Sequence, residues 1–285
     1  AHSAHAVSPS GGPGRRRVAP GSPLSWLIYP LVGSLSGLLA GLFGIGGGLV
    51  IVPVIVAWFA ATDSVVPPEL RMHFAIGTSL GVIVFTAISS LRAHHRRGAV
   101  LWDAVRRLVP GVLLGGLLGA AVADALSNDR LQAVFGLFVL AIALHMIRNR
   151  LPDAHRGLPG LVGFVLAGIV IGAFSALAGI GGGVMTVPFL VWCAVPMRTA
   201  VGTAAACTLP VAIAGVIGFI VAGWDAGSAV TYATGYVYWP AVAGIAAASV
   251  LTAPLGARLA HTLPVPQLRR AFAVLLAVLG LRMLL

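Results

Sequence analysis

The sequence predicts an all-α, polytopic transmembrane helix bundle built from two tandem repeats. Hydrophobic residues make up 59% of the 285 residues and charged residues only 9%, with a mean hydropathy of +1.00. A soluble domain carries about 25% charged residues. Apolar stretches of nearly bilayer-spanning length follow one another along the chain, and the same short motifs occur in both halves. The composition excludes a soluble enzyme, a disordered chain and a disulfide-stapled secreted domain.

The charges are one-sided. There are 18 basic residues, all of them arginine, against 7 acidic ones, which gives a net charge of +11. In a membrane protein this excess is typical of arginine-rich cytoplasmic loops. No stretch combines a basic face with the aromatic platforms of a nucleic-acid site, so no nucleic-acid partner is expected. Cys193 and Cys207 lie in apolar contexts, and neither a metal site nor a cofactor is predicted.

The elements follow in order from the amino terminus. Residues 1–23 are small, polar and rich in Gly, Pro and Ser, without the apolar core of a signal peptide, which predicts a disordered tail. Ten apolar segments follow: 24–43, 49–61, 72–91, 104–126, 131–147, 160–178, 184–195, 199–221, 236–257 and 270–284. Crossing a hydrocarbon core takes about 20 helical residues. The second and seventh segments are too short and contain proline, which predicts two half-helices.

Internal repetition organises these segments into two halves. Gly44-Ile-Gly-Gly-Gly48 followed by Pro53 matches Gly179-Ile-Gly-Gly-Gly183 followed by Pro188. Three further matches come in the same order: Ala75–Thr78 with Ala200–Thr203, Gly98–Trp102 with Gly235–Trp239, and Gly119, Leu131 and Phe135 with Gly256, Leu268 and Phe272. The predicted domains are therefore a first repeat over 24–150, a linker over 151–158 and a second repeat over 159–285.

The relative orientation of the halves is read from equivalent loops. The loop 92–107 contains five arginines, whereas its counterpart 222–235 contains none. This contrast favours inverted repeats, with equivalent loops on opposite sides of the membrane. Arg15–Arg17 in the tail argue the other way, so parallel repeats stay open.

The two GIGGG runs are the strongest candidate site. The half-helix after each run presents free N–H groups and the positive end of its dipole, which bind anions without a charged side chain. Interrupted apolar segments at matching positions of two halves point to a transporter binding site. The alternative is a tight packing site between helices. A phosphate-binding loop is excluded, because no Lys-Ser/Thr pair follows either run.

Hydroxyls and one thiol complete the predicted substrate site. The repeated Gly-Thr pairs open the third and eighth segments, and Cys207 lies one turn beyond Thr203. Their side chains either contact the oxyanion or satisfy backbone groups and fill the core. The predicted substrate-binding residues are Gly44, Gly46, Gly47, Gly48, Thr78, Ser79, Gly179, Gly181, Gly182, Gly183, Thr203 and Cys207. Replacing Gly47 or Gly182 with valine is expected to abolish binding and leave the protein folded.

Ionisable groups near the membrane are few. Three of them precede the third and eighth segments: Arg71, His73 and Arg198. They act either as interfacial anchors or as charges that attract an anion into the pathway. No Asp or Glu lies in the middle of a segment, which argues against a divalent-cation site. The aromatic cluster at Tyr232, Tyr236, Tyr238 and Trp239 predicts a membrane-interface belt.

Together, the doubled Gly-rich run with its following proline and the Ala-x-Gly-Thr helix starts resemble the TauE/SafE family, over nearly the whole chain from Leu24. The resemblance implies a multi-pass permease of the bacterial inner membrane that exports sulfite or organosulfonates. Hydropathy plots of that family give seven to nine spans, and re-entrant half-helices reconcile that number with ten segments.

The predicted function is therefore secondary transport of a small sulfur oxyanion by alternating access around the two GIGGG half-helices. A passive anion channel and a permease for another small anion stay open. A cation permease is not favoured, because the apolar segments lack the acidic groups that it needs, and a membrane enzyme is not favoured, because no convergent set of catalytic residues is present. Expected partners are the anionic substrate and the lipid bilayer. Proton coupling is left open, and so is a homodimer, because glycine-rich faces such as Gly111–Gly119 allow close helix contacts within or between chains.

Overall fold

The computed structural model describes residues 23–44, 46–61, 66–148, 157–262 and 265–285, so most of the predicted tail and much of the predicted linker lie outside the described residues. The helices are α1 Pro23–Phe43, α2 Gly48–Ala61, α3 Arg71–His95, α4 Trp102–Asp124, α5 Asn128–Arg148, α6 Leu161–Leu177, α7 Gly183–Trp192, α8 Met197–Ala222, the single turn α9 Trp224–Gly227, α10 Trp239–Thr262 and α11 Val265–Leu284. The all-α polytopic bundle is confirmed.

Two helices are shorter than their neighbours, as the sequence predicts. α2 has 14 residues and α7 has 10, and each begins at the last glycine of a GIGGG run. Within the described residues, five helical segments are long and apolar enough to cross a membrane: 68–95, 102–124, 128–148, 197–222 and 239–260. The other apolar helical stretches in the described residues have 10–17 residues each, and α2 and α7 are among them.

Each half packs its first helix against the other half. α1 lies along α10, where a Cβ on Gly41 would overlap the carbonyl oxygen of Ala253. α6 lies along α4 in the same manner, and a Cβ on Gly115 would overlap the carbonyl oxygen of Ile169. Glycine allows the backbones to touch in both places. The predicted glycine face of α4 is therefore occupied within the chain, and a homodimer stays a prediction.

The two helices at the centre of the bundle run antiparallel to each other. Leu80 of α3 contacts Gly215 of α8, and Ile83, further along α3, packs with Ala212, earlier in α8. The outer pair α5 and α11 is also antiparallel. There Gly136 lies against Leu284, and Leu140, one turn later in α5, lies against Gly280, one turn earlier in α11.

A small hairpin replaces the start of the predicted ninth segment. Strands β1 (Ala233–Thr234) and β2 (Val237–Tyr238) pair antiparallel, with Ala233 opposite Tyr238. Tyr236 and Tyr238 are buried, whereas Tyr232 is 69% exposed. The interpretation of all four aromatic residues as an interface belt is thus wrong for Tyr236 and Tyr238, because the hairpin turns both side chains into the core.

The two ends of the bundle differ in charge. Where α3 ends and α4 begins, the structure collects Arg92, Arg96, Arg97, Arg106 and Arg107 against Asp103. At the opposite end, where α3 begins and α4 ends, it collects Arg71 and Arg130 with Glu69, Asp124 and Asp129. One end is strongly basic and the other is close to neutral.

Candidate functional site

The two GIGGG runs meet in the middle of the bundle. A Cβ built on Gly46 would lie 3.1 Å from Cα of Gly181, and one built on Gly181 would lie 3.2 Å from Cα of Gly46. The Ile83 side chain reaches both, with Cγ2 at 3.1 Å from each of these Cβ positions. The structure thus brings together the two runs that the sequence singles out. Gly46, Gly181 and Ile83 define what we call the glycine junction.

The path of the chain at the junction requires glycine. Gly44, Gly46 and Gly47 have φ of +68°, +74° and +80°, and Gly179 and Gly182 have +64° and +56°. This left-handed conformation costs about 1–2 kcal/mol for a residue with a side chain. It turns the chain sharply out of α1 and α6 and directly into α2 and α7.

Space around the glycines revises one expectation. A Cβ on Gly47 would lie 2.7 Å from the carbonyl oxygen of Ser36. A valine at Gly47 therefore disrupts packing as well as any binding, and we expect the Gly47→Val protein to be destabilised. At Gly182 the nearest atom to such a Cβ is Cγ2 of Val211 at 3.2 Å, so that position has more room.

Hydroxyls from α3 and α8 hold the backbone of both runs. Thr208 is 1% exposed, and its Oγ1 lies within hydrogen-bond distance of the carbonyl oxygens of Gly44 (3.3 Å), Ala204 (3.0 Å) and Gly181, which share its single hydroxyl hydrogen. Ser79 donates to the carbonyl oxygen of Gly179 at 2.9 Å. Thr208 thus bridges the two halves at the junction. Sequence reasoning missed it, since the repeat offers no second threonine at that place.

The paired threonines Thr78 and Thr203 make equivalent contacts with opposite halves. The hydroxyl of Thr78 accepts from the N–H of Tyr238 at 3.0 Å, and that of Thr203 accepts from the N–H of Leu101 at 2.9 Å. Each hydroxyl therefore satisfies a backbone N–H of the other half, which is the alternative to oxyanion binding given in the sequence analysis. Whether the hydroxyl hydrogens also reach an anion stays a prediction.

Cys207 lies beside Thr208 but faces elsewhere. It is fully buried in an apolar cluster that also contains Leu190 of α7 and Val211 of α8. The thiol fills space in that cluster as a small hydrophobic side chain does.

The predicted pathway charges are not brought together. Arg198 is exposed at the start of α8, whereas Arg71 and His73 begin α3 at the other end of the bundle. His73 is 3% exposed, and its Nε2 lies 3.1 and 3.2 Å from the carbonyl oxygens of Ala123 and Leu126. This contact ties α3 to the end of α4, and neither Arg71 nor His73 is part of the glycine junction.

Tyr236, outside the spanning helices, makes a partly buried polar contact. Its hydroxyl donates to Oδ1 of Asp124 at 2.8 Å, and its ring lies 5.1 Å from the His73 ring. Burial, and then the hydrogen bond to the Asp124 carboxylate, raise the pKa of the Tyr236 phenol. The hairpin is thereby fastened to α3 and α4.

The part of the chain that the structure describes contains no cluster of three or more His, Cys, Asp or Glu side chains suited to a metal ion. The junction is built from backbone groups and hydroxyls, which are the groups expected to bind a small anion.

The comparison with known proteins gives the family. The profile of the Sulfite exporter TauE/SafE family matches residues 29–283. The chain belongs to this family. A probable membrane transporter protein of Haemophilus influenzae is 41% identical over 261 residues, which cover 91% of this chain and 98% of that protein. One from Methanocaldococcus jannaschii is 30% identical over 267 residues, covering 91% and 96%. No solved structure matches this TauE/SafE chain.

Family, relatives and helices agree on the general activity. This TauE/SafE protein is a multi-pass membrane transporter.

Proposed function

We propose that the protein is a secondary transporter that moves a small sulfur oxyanion, such as sulfite or an organosulfonate, across the bacterial inner membrane. Transport takes place by alternating access around the glycine junction. The observation that carries this proposal is the contact between Gly46 and Gly181, since it places the starts of two half-helices, one from each repeat, at one point.

The groups at the junction suit an anion. The first N–H groups of a helix have no partner within the helix, and the helix dipole adds positive potential at the same end. α2 and α7 both begin here. The hydroxyls of Thr208 and Ser79 lie beside them and donate their single hydrogens to backbone carbonyl oxygens in this closed conformation, so they reach an anion only when the two runs separate. The acidic side chains that the structure describes lie at helix ends and in loops: Glu69, Asp103, Asp124, Asp129 and Asp225. None lies where it would repel an anion at the junction.

The repeats are inverted in this proposal. Two pairs of helices that the sequence repeat makes equivalent, α3 with α8 and α5 with α11, run antiparallel. An axis that exchanges antiparallel helices lies in the membrane plane, and transporters built on such an axis bind substrate near the bilayer midplane. Parallel repeats would instead place equivalent helices parallel to each other.

The conformation described is closed around the junction. Ile83 is fully buried and Thr208 is 1% exposed, and Gly46 and Gly181 are in backbone contact. An anion therefore binds only when the two runs separate on one side. In an alternating-access cycle a conformation closed on both sides is an occluded form, and separation of the two runs towards either side of the membrane gives the open forms.

The basic end is proposed to face the cytoplasm. The arginines between α3 and α4 far outnumber Asp103, the acidic residue that the structure describes at that end, and arginine-rich loops stay cytoplasmic. With α1 parallel to α3 (both run alongside α10 in the same direction), the start of α1 then lies on the outer side. Sulfur specificity rests on the family, and proton coupling stays a prediction.

The test is thermal unfolding of the purified protein against sulfite, sulfate, sulfoacetate, taurine, thiosulfate, phosphate and chloride at matched pH and ionic strength. A ligand at about 100 times its Kd stabilises the folded protein by about 2.7 kcal/mol, a measurable shift in Tm. We expect one sulfur oxyanion to give the largest shift.

A pair of variants locates the binding site. Thr208→Val removes the hydroxyl that bridges both runs, whereas Thr86→Val removes an equally buried hydroxyl that bonds only to Val82 of its own helix. The anion-induced shift should be lost in the Thr208 variant and kept in the Thr86 variant. Equal shifts in both variants would place the anion elsewhere.

A further inference from the structure

A groove separates α3 from α10 near the basic end of the bundle. It has a volume of about 460 Å³ and is lined by Phe85, Ile88, Arg92 and Arg96 of α3 and by Val250 and Pro254 of α10. Phe85 is 46% exposed, so the groove opens towards the surroundings of the bundle rather than into its core. We call it the α3–α10 groove.

The groove and the glycine junction use opposite sides of α3. Phe85, Ile88, Arg92 and Arg96 recur at the three- and four-residue spacing that forms one stripe on a helix. Ile83 lies on the other side and packs with Ala87 and α8. Because the two stripes are distinct, the groove is separate from the proposed transport site.

The polar groups of the groove point to an anion. Arg92 and Arg96 lie one turn apart, and both are exposed. Among the residues described at this end, the acidic side chain is Asp103, and it pairs with Arg107 at 2.9 Å. The hydroxyl of Ser89 is committed to the carbonyl oxygen of Val250 at 2.8 Å. The two guanidinium groups are thus the groove's cationic contacts for a ligand.

We propose that the α3–α10 groove binds an acidic phospholipid. The phosphate lies between Arg92 and Arg96, and an acyl chain follows the apolar wall of Phe85, Ile88 and Val250 towards the membrane interior. Two features select a lipid over a free anion: the apolar wall continues directly from the arginines, and it faces the bilayer. Basic pockets between transmembrane helices bind lipid headgroups by this chemistry.

Such a lipid would bridge α3 and α10, which belong to different repeats. α3 also carries Ile83 and Ser79, which contact the glycine runs. A bound lipid therefore stabilises the position of α3 from outside the site. The proposal does not depend on which substrate the protein transports.

The test measures lipid retention by native mass spectrometry, with the full chain in detergent and titrated with phosphatidylglycerol or phosphatidylcholine. The wild type should retain phosphatidylglycerol preferentially. In the double variant Arg92→Gln/Arg96→Gln, phosphatidylglycerol binding should weaken about twenty-five-fold, at about fivefold for each arginine. The control Arg97→Gln/Arg148→Gln removes the same charge from two arginines outside the groove lining, and it should bind as the wild type does.

Two further arms identify the source of the anion. Glycerol phosphate and inorganic phosphate carry the charge without the chain, and they should not displace the lipid at equal concentration. If either displaces it, the groove is a site for free anions and the proposal is wrong. Equal loss of phosphatidylglycerol in both double variants would also overturn it, because the attraction would then be a general property of the basic end. Thermal unfolding without lipid shows whether each variant is folded.

Discussion

Adding one methyl group at the glycine junction tests the packing of the two runs. Gly181 has no left-handed φ, so Gly181→Ala brings no backbone strain. Its new Cβ would lie 2.5 Å from Cγ2 of Thr208 and 3.1 Å from Cγ2 of Ile83. The first distance is too short for two carbon atoms, so the Thr208 side chain has to move.

The magnitude follows from this contact. An extra methyl group in a well-packed core costs about 1–3 kcal/mol. Movement of Thr208 also weakens the hydrogen bond that its single hydroxyl hydrogen shares between the carbonyl oxygens of Gly44 and Gly181, worth about 1 kcal/mol. We expect Gly181→Ala to destabilise the protein by about 2–3 kcal/mol.

The rescue variant is Thr208→Ser. It removes the Cγ2 methyl group that collides with the alanine and keeps the hydroxyl that bridges the runs. Alone it should cost about 1 kcal/mol, the value of a buried methyl group. The double variant Gly181→Ala/Thr208→Ser should recover most of the loss, with a coupling of 1 kcal/mol or more.

Stability is measured by denaturant or thermal unfolding of the purified variants, with Gly157→Ala as control, because no atom lies within 4 Å of a Cβ at Gly157 and this glycine caps no helix. The control should unfold as the wild type does. Additive losses in the double variant, with no recovery, would refute the described contact between Gly181 and Thr208.

Three further outcomes follow from the packing. Thr78→Val and Thr203→Val each leave a backbone N–H of the other half without its acceptor, which should lower the free energy of unfolding by about 1–3 kcal/mol. The serine variants keep the hydroxyl and should be close to wild type. An unchanged Tm for both valine variants would contradict these contacts between the halves. Gly41→Ala and Gly115→Ala should both lower Tm strongly, because each new Cβ overlaps a carbonyl oxygen of a neighbouring helix; a loss in only one would show that the two interfaces are not alike. Tyr236 has a raised pKa in the folded protein, so it stabilises the fold below about pH 10, and this contribution is lost as the pH rises further. Tyr236→Phe should therefore flatten the fall in Tm between about pH 9 and 11. An identical fall in the variant would show that Tyr236 is not the group responsible.

The sequence predicts the architecture because hydrophobic length and repetition are local properties of the chain. The short α2 and α7 and the pairing of the two GIGGG runs follow from patterns that can be read directly. Thr208 could not be found in this way. At the spacing that relates Thr78 to Thr203, its counterpart is Ile83, so a search for matched residues passes over it.

Other features depend on contacts between distant segments. Tyr236 and Tyr238 have the composition of an interface belt, but the hairpin and the contact of Tyr236 with Asp124 bury them. Thr78 and Thr203 satisfy backbone groups that are distant along the chain. No local pattern specifies such partners. The orientation of the repeats, by contrast, is suggested by the arginine contrast between loops, and the antiparallel helix pairs agree with it.

The central proposal is a carrier for a sulfur oxyanion that opens alternately on each side of the glycine junction. The most direct measurement is uptake of radiolabelled sulfite into proteoliposomes that are preloaded with unlabelled sulfite or left empty. A carrier saturates with external sulfite, and preloading accelerates uptake, because the loaded site returns faster than the empty one. Uptake that rises linearly with concentration and is unchanged by preloading would contradict alternating access and indicate a channel.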